Sequence, residues 1–471
     1  MEQVAAMSHS RTPSTDTTQN RALSSGLATA ILLVEGFVSV SIQMIVLRQL
    51  VPVVGYSINV TSIVITTFLA ALALGYRSGG RVRSGHAAKI SFNLIVAALV
   101  AAIGLSVILI DAFFGFYFSL FGATLVAVAL YSLLVVAPLV YLLAQTVVLL
   151  INFGEASAAA EQAGDTFHLS TIGNVVGGLV TTLVVMYYLG IAAAVFIDVT
   201  LLVVAYAVIS CPRTSVTAFN SIGVLLIAFT LNVFAESKMF TRTTAYADYY
   251  LADEIGGEGR LLVVNGQNAS RTDSAGIGHP YIEWFEDQLF VDAAAPRSIL
   301  VLGAGGFTLG QGREYTGAIT FVDVDSHLAS IADEFLGSHE RKGKFVAEDA
   351  RAFLLRSAKH YDAIVLDTYS HRSSMPPHLV TVEFFTLLRD RLKSGGVVYM
   401  NFISTDDESY KFPRGIDYTV RSVFAQCETH RINTEGLTLY NKLYRCERSK
   451  LDDHRVIYTD KNTKTAMDAA I

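Results

Sequence analysis

The sequence predicts two units of different kinds: an N-terminal polytopic α-helical membrane domain, then an α/β domain with a small β unit ahead of it. Three observations predict this. Between Ala22 and Glu236 only 13 residues are Asp, Glu, Lys or Arg, although 16% of the whole chain is charged. From Ser298 onward, short apolar runs alternate with amphipathic ones, the pattern of a parallel sheet with crossover helices. The first of those apolar runs, "SILVLGAGGFTLG" (298–310), breaks into glycines, as nucleotide-binding loops do. A chain of 471 residues is also too long for one ordinary domain. The expected boundaries are a disordered tail 1–21, a membrane domain 22–237, a small β unit with a connecting helix 238–296, the α/β domain 297–450 and a C-terminal tail 451–471.

In the first unit, a spanning helix needs about 20 apolar residues. Such runs occupy 27–47, 54–75, 90–110, 169–189, 191–210 and 219–236. The stretch 113–151, with Pro138 inside it, holds one or two more, so seven or eight spans result. Parity decides which side the α/β domain faces. The loop "YRSGGRVRSGHAAK" carries Arg77, Arg81, Arg83 and Lys89, and the positive-inside tendency assigns it to the cytoplasm. Eight spans is the expectation. The α/β domain is then cytoplasmic, and "NFGEASAAAEQAGD", which has no Lys or Arg, faces outward. The expected location is the inner cell membrane, as a multi-pass protein.

Glu35 and Asp198 fall inside the spans, where a carboxylate either serves a function or is hydrogen-bonded to a neighbouring helix. The run "STIGNVVGGL" (170–179) has small residues spaced for close helix packing. The polar N-terminal stretch reads as a disordered tail rather than a cleaved signal, since the apolar run after it is long enough to span. A net charge of −6 with no long basic run points away from nucleic acid. Cys211, Cys427 and Cys446 show neither metal-ligand spacing nor a disulfide framework, and read as packing residues or as a sign of a reducing compartment. No metal site is expected.

In the second unit, "SILVLG", "AITFVDVD", "KFVAEDA", "YDAIVLDTY" and "VVYMNF" read as strands separated by helices, of which "TVEFFTLLRDRL" is closed by Gly395 and Gly396. Residues 243–271 read as a small β unit turning at Asn265-Gly266. Ligands of parallel sheets sit at the carboxyl ends of the strands. Gly303, Gly305 and Gly306 let the backbone approach a nucleoside there. Asp323, twenty residues past Gly303, occupies the position that accepts hydrogen bonds from ribose hydroxyls. Asp349 either accepts from an exocyclic amine such as that of adenine, or caps the helix "DARAFLL", or does both. Asp367 ends the fourth strand as a general base, a cation holder or a solvated strand-end residue.

The ordered set "VLGAGGFTL", "FVDVD", "AEDARAFL", "YDAIVLDTY", "PPHLVTVEFF" and "LKSGGVVYMNF" resembles the spermidine synthase family of polyamine aminopropyltransferases. "IQMIVLRQL" and "LALGYRSGGR" resemble the bacterial members fused to a membrane domain. The resemblance implies a Rossmann-like methyltransferase fold that moves aminopropyl from decarboxylated S-adenosylmethionine to an amine, as a cosubstrate rather than a permanently bound cofactor. It implies Asp323 at the ribose, Asp349 and Ala350 at adenine, Pro376 or Pro377 along the adenine pocket, Asp367 as proton acceptor and Tyr281 in the gate over the amine. Tyr369 and Asp273 are further candidates for the amine site, and the soluble relatives imply a homodimer.

Where the family has acids or polar anchors around the amine, this chain has Gly306, Ser370, Ala269 and Ile282. Asp406, Asp407, Glu408 and Glu283 are possible compensating acids. An alternative is a methyl- or alkyl-transferase that uses S-adenosylmethionine on a membrane-delivered substrate. It draws on the missing acid at Gly306, which would repel the carboxylate of that donor. A second alternative is a non-enzymatic membrane protein that senses a nucleoside, supported by Glu35 and Asp198.

Overall fold

The computed structural model describes residues 25–448, apart from 56, 121–123, 152–158, 211–213, 292–296, 370–374, 408–410 and 434–438. Both expected tails, and Ser370, Glu408 and Cys211, lie outside the described residues. The first unit is entirely helical. Among the described residues, seven helices are long and apolar enough to cross a membrane: Gly26–Val54, Ile58–Gly79, His86–Gly104, Thr124–Ile151, Gln162–Leu189, Ile191–Ile209 and Ser215–Met239. Three of them contain a π-helical turn, at Ser132–Val136, Thr181–Val185 and Phe229–Phe234. The first of these turns directly precedes Pro138, whose missing N–H and bulky ring a regular α-helix does not accommodate.

An eighth helix, Val107–Leu120, has 14 residues, short of the length that spans a bilayer. The stretch 113–151 therefore holds one long helix and part of a short one. The short helix does not carry the chain to the other end of the bundle. It starts after Leu105, whose carbonyl accepts from Gln49 Nε2 at 2.7 Å, and at Tyr131 the chain is beside Gly104 again, with a hydroxyl-to-carbonyl bond of 2.9 Å. This leaves seven helices of spanning length among the described residues, the lower of the two counts that the sequence allows. The helix Ile58–Gly79 starts where the first helix meets the α/β unit and runs about 33 Å away from it. The cationic loop and the α/β unit thus lie at opposite ends of the bundle, and were expected on one side.

The small-residue run packs as expected. A Cβ at Gly36 would overlap the Ser170 carbonyl, and one at Gly177 would overlap the Phe37 carbonyl. Glu35 sits in this seam and accepts from Ser39 Oγ at 2.9 Å and Ser170 Oγ at 2.8 Å, so its carboxylate ties two helices together.

After the bundle, β1 (Arg242–Thr243), β2 (Asp248–Asp253), β3 (Arg260–Val264) and β4 (Gln267–Thr272) form an antiparallel sheet in sequence order. The β3–β4 turn has Asn265 and Gly266 at φ 50° and 74°, the left-handed pair that a two-residue hairpin needs. The main sheet contains β5 (Arg297–Leu302), β6 (Gly317–Asp323), β7 (Lys344–Ala347), β8 (Tyr361–Leu366), β9 (Leu392–Thr405), β10 (Cys427–Asn433) and β11 (Leu439–Glu447), in the order β10-β11-β9-β8-β5-β6-β7.

Strands β5 to β9 are parallel, whereas β11 and β10 are antiparallel additions. The sheet is therefore mixed, where a purely parallel one was expected. The sequence of β10, "CETHRIN", conceals the addition, because an exposed edge strand has no apolar alternation. Two further expectations change. The helix Val382–Asp390 ends before Gly395 and Gly396, which fall in β9 near a register irregularity. Cys427 and Cys446 face each other across β10 and β11 and form a disulfide. Their 19-residue separation carries no signal until the strand register is known.

The two units are joined by charged contacts. Arg48 of the first helix donates to Asp248 Oδ1 at 2.7 Å and to the Thr244 carbonyl at 3.0 Å. Glu236 accepts from Thr243 Oγ1 at 2.8 Å and from the Ala192 amide at 3.1 Å.

The Gly36 seam leaves no room for a side chain. Gly36→Val is expected to lower the thermal midpoint of the purified protein by several degrees, in line with an overpacking cost of about 1–3 kcal/mol. Gly115→Ala, where nothing lies within 4 Å of the added Cβ, is expected to leave it unchanged. Equal midpoints for the two variants would contradict the packing described.

Candidate active site

The carboxyl ends of β5, β6, β7 and β8 open into a cavity of about 1600 Å³. Its floor is the loop after β5. Gly303 has φ 88°, and a Cβ there would overlap the carbonyl oxygen of Asp367 at the end of β8. Only glycine lets these two strand ends meet. The Ala304 amide then donates to Asp323 Oδ2 at 3.0 Å, and the Asp325 amide to Oδ1 at 3.1 Å. Burial pushes the Asp323 carboxyl up to about 6 against these amide bonds.

Asp349 plays the structural role that its sequence suggested and faces the cavity as well. It caps the helix Ala350–Arg356 by accepting from the Ala352 amide at 2.9 Å, and its other oxygen meets His378 Nε2 at 2.9 Å. Burial acts to raise its pKa, but the Ala352 amide and the imidazole outweigh burial and hold it below the usual range. Ala350, Pro376 and Pro377 stand beside it on the cavity wall.

Asp367 is at the centre. Asn401 Nδ2 donates to its Oδ1 at 3.0 Å, and the Tyr281 hydroxyl, which donates to the Ala269 carbonyl at 3.4 Å, stands close by. Burial pushes this carboxyl up to about 6, opposed first by Asn401 and then by Tyr281. A carboxylate in that range is ionised at pH 7 and still basic enough to take a proton. Tyr369 also lines the cavity, and its hydroxyl is committed to β9, donating to the Asn401 carbonyl at 3.0 Å and accepting from the Ile403 amide at 2.7 Å. It thereby holds Asn401 in place.

Two expected residues do not face the cavity. Gly306 lies behind its wall, where the Gly306 amide donates to Ser270 Oγ at 2.8 Å. A Cβ at 306 would overlap the Phe335 ring, so this backbone has no space for an acid. Asp273 closes a turn, accepting from the Ala275 and Ile277 amides at 2.9 Å each and pairing with Arg271 at 3.5 Å. Asp406 pairs with Arg431 at 2.7 Å, and Asp406 and Asp407 border a separate shallow depression. Ala269, Ile282 and Glu283 do line the main cavity.

Three residues of the cavity escaped sequence reasoning. Asn401 interrupts the apolar run "VVYMNF", a polar residue just past the last β8–β9 pair, Leu366 and Met400, which is the signal that identifies it. His279 stacks on Tyr281 with ring centroids 5.8 Å apart. Burial lowers its pKa to about 4, which makes the ring neutral at pH 7. Arg48 reaches the cavity from the first helix, and no local pattern connects it to the sheet. Among the described residues no cluster of His, Cys, Asp or Glu is suited to hold a metal ion.

Residues 284–436 match the family model of the spermine/spermidine synthase domain. The chain is 26% identical over 203 residues to polyamine aminopropyltransferase 2 of Pseudomonas aeruginosa, covering 41% of this chain and 57% of that one. It is 27% identical over 164 residues to a probable polyamine aminopropyl transferase of Bifidobacterium longum, covering 35% and 36%. Both matches span less than two thirds of those relatives. Polyamine aminopropyltransferase 1 of Streptomyces coelicolor is 25% identical over 383 residues, covering 73% of this chain and 70% of its own. Among solved structures, a probable spermidine synthase from Corynebacterium glutamicum is 20% identical, with a TM-score of 0.38 over 44% of this chain and 79% of that one. The similarity to the spermine/spermidine synthase domain is thus carried by residues 284–436 of this chain.

Proposed function

We propose that the chain is a membrane-bound transferase that moves an aminopropyl group from decarboxylated S-adenosylmethionine to an amine and releases methylthioadenosine. The observation that carries this reading is the convergence of Asp323, Asp349 and Asp367, from three successive strand ends, on one cavity. Asp323 and the Gly303–Gly305 backbone hold the ribose side of the donor. Asp349, Ala350, Pro376 and Pro377 hold the adenine. Tyr281 and Tyr369 border the amine.

The chemistry needs little more than a base and good positioning. An alkylammonium has no free lone pair, so Asp367 first takes one of its protons. The freed lone pair attacks the aminopropyl carbon bonded to sulfur. The C–S bond breaks with its electrons returning to sulfur, and a neutral thioether leaves without needing an acid. Asn401 orients Asp367 and keeps its charged form accessible.

The methyl-transfer alternative drew on the missing acid at 306, and a backbone position without room for any side chain gives it no support. The sensor alternative drew on Glu35, which joins two helices, and on Asp198, which is fully buried.

Apolar side chains exposed around the bundle, such as Leu134, Leu183, Phe219 and Leu226, support a bilayer location. Seven helices of spanning length, with the cationic loop taken as cytoplasmic, support an α/β unit on the other face. The disulfide of β10 and β11 suits an oxidising compartment.

Asp367→Asn is expected to reduce turnover about 10²- to 10⁴-fold while methylthioadenosine still binds. Undiminished turnover would remove Asp367 from the role of proton acceptor. Because burial raises the Asp367 pKa to about 6 and only the ionised form accepts a proton, kcat/KM should fall as the pH drops through about 6. Asn401→Leu deletes the stronger of the two opposing interactions, so this acid limb should move to higher pH. A limb that stays in place or moves lower would count against the assignment. For topology, an alkaline phosphatase reporter fused after Thr241 should be active and one fused after Gly80 inactive. The opposite result would place the α/β unit in the cytoplasm.

A further inference from the structure

The cavity is larger than the reaction requires. Sites for small ligands usually enclose about 300–1,000 Å³, and this one holds about 1600 Å³. The surplus lies toward the helical bundle, where the wall is built by two of the long apolar helices. Met44, Leu47 and Val51 come from the helix Gly26–Val54, and Met186 from the helix Gln162–Leu189. Their spacing sets each group on one helix face.

Within this apolar end are two polar atoms without partners. The Arg48 side chain is 7% exposed. Its Nε and Nη2 are bonded to Thr244 and Asp248, whereas Nη1 is buried with no hydrogen-bond partner among the described residues. Leaving a charged group's donor unsatisfied costs free energy that folding alone has no reason to spend. Thr182 Oγ1, on the π-helical turn Thr181–Val185, is likewise buried and unbonded, and such turns recur at functional sites. Both residues line the cavity.

A guanidinium N–H beside an apolar trough fits a phosphoryl or carboxyl oxygen carried by a hydrocarbon chain. The charge nearby refines this. Asp248 already neutralises Arg48, and the buried Asp325 also lines the cavity, bonded to Thr244 and Tyr249 at 2.6 and 2.9 Å. A purely anionic headgroup would face these acids. A free polycation would meet Arg48 and an apolar wall.

We propose that the bundle end of the cavity binds a single-chain zwitterionic amphiphile. Its anionic headgroup lies at Arg48 and Thr182, whose side chains turn to present the buried Nη1 and Oγ1 to it, its ammonium points toward the strand-end carboxylates, and its chain lies against Leu47 and Met186. The inference deepens the reading of the cavity given above by naming a ligand class for it, but it is a statement about binding and does not require aminopropyl transfer.

The test uses the full chain in phosphatidylcholine nanodiscs, with calorimetric titration of a myristoyl lysophosphatidylethanolamine and, separately, of free phosphoethanolamine. The lysolipid is expected to bind at least tenfold more tightly than its headgroup alone. Leu47→Trp, which fills the trough, and Thr182→Val should each weaken it several-fold, as should Arg48→Lys, which keeps a cation for Asp248. Methylthioadenosine affinity measured on each variant reports whether the α/β unit is intact. Equal binding of headgroup and lysolipid, or a lysolipid affinity that Leu47→Trp and Thr182→Val leave unchanged, overturns the proposal. Lysolipid binding without any turnover would leave it standing and count against the aminopropyl reading instead.

Discussion

The architecture of the site depends on one close backbone approach. At the end of β5, Gly303 lies so near the Asp367 carbonyl that no side chain fits between them. That contact closes the gap between β5 and β8, the two central strands of the sheet. It directs the Ala304 amide at Asp323 and brings the Asp367 carboxylate into the same cavity. Any larger residue at 303 would push the ends of β5 and β8 apart.

The carboxylates gathered in this way are costly to the fold. Asp323 and Asp367 are both pushed from 3.8 to about 6 by burial. Keeping each ionised at neutral pH therefore costs roughly 3 kcal/mol. The sign follows from the raised values: the folded state holds these protons more tightly, so stability increases as the pH falls from 6 toward 4. A site built for stability alone would put neutral groups there. The hydrogen bond from Asn401 returns part of the cost at Asp367 and fixes the orientation of its carboxylate.

Much of this was legible in the sequence, for specific physical reasons. The parallel core of the sheet, the strand-end positions of Asp323, Asp349 and Asp367 and the Asn265-Gly266 turn follow from local patterns of apolar period and turn chemistry. The small-residue seam around Gly36 and Gly177 was legible as well. What depended on long-range register was not. The Cys427–Cys446 disulfide, the polar edge strand β10 and the insertion of Arg48 into the cavity all bring together residues that no local pattern relates. Composition alone also could not say that Val107–Leu120 stops short of a span, and that one helix decides that the cationic loop and the α/β unit lie at opposite ends of the bundle. Gly306 shows the limit of alignment, since the position matches but the Phe335 ring occupies the space where an acid would project.

The central claim is that the strand-end cavity transfers an aminopropyl group with Asp367 as base. The most direct measurement is mass spectrometry of the products formed by the purified full chain from decarboxylated S-adenosylmethionine and a panel of free and lipid-borne amines. The account predicts methylthioadenosine together with an amine heavier by one aminopropyl group. Formation of S-adenosylhomocysteine when S-adenosylmethionine replaces that donor, with no aminopropylated product from any amine, would contradict it.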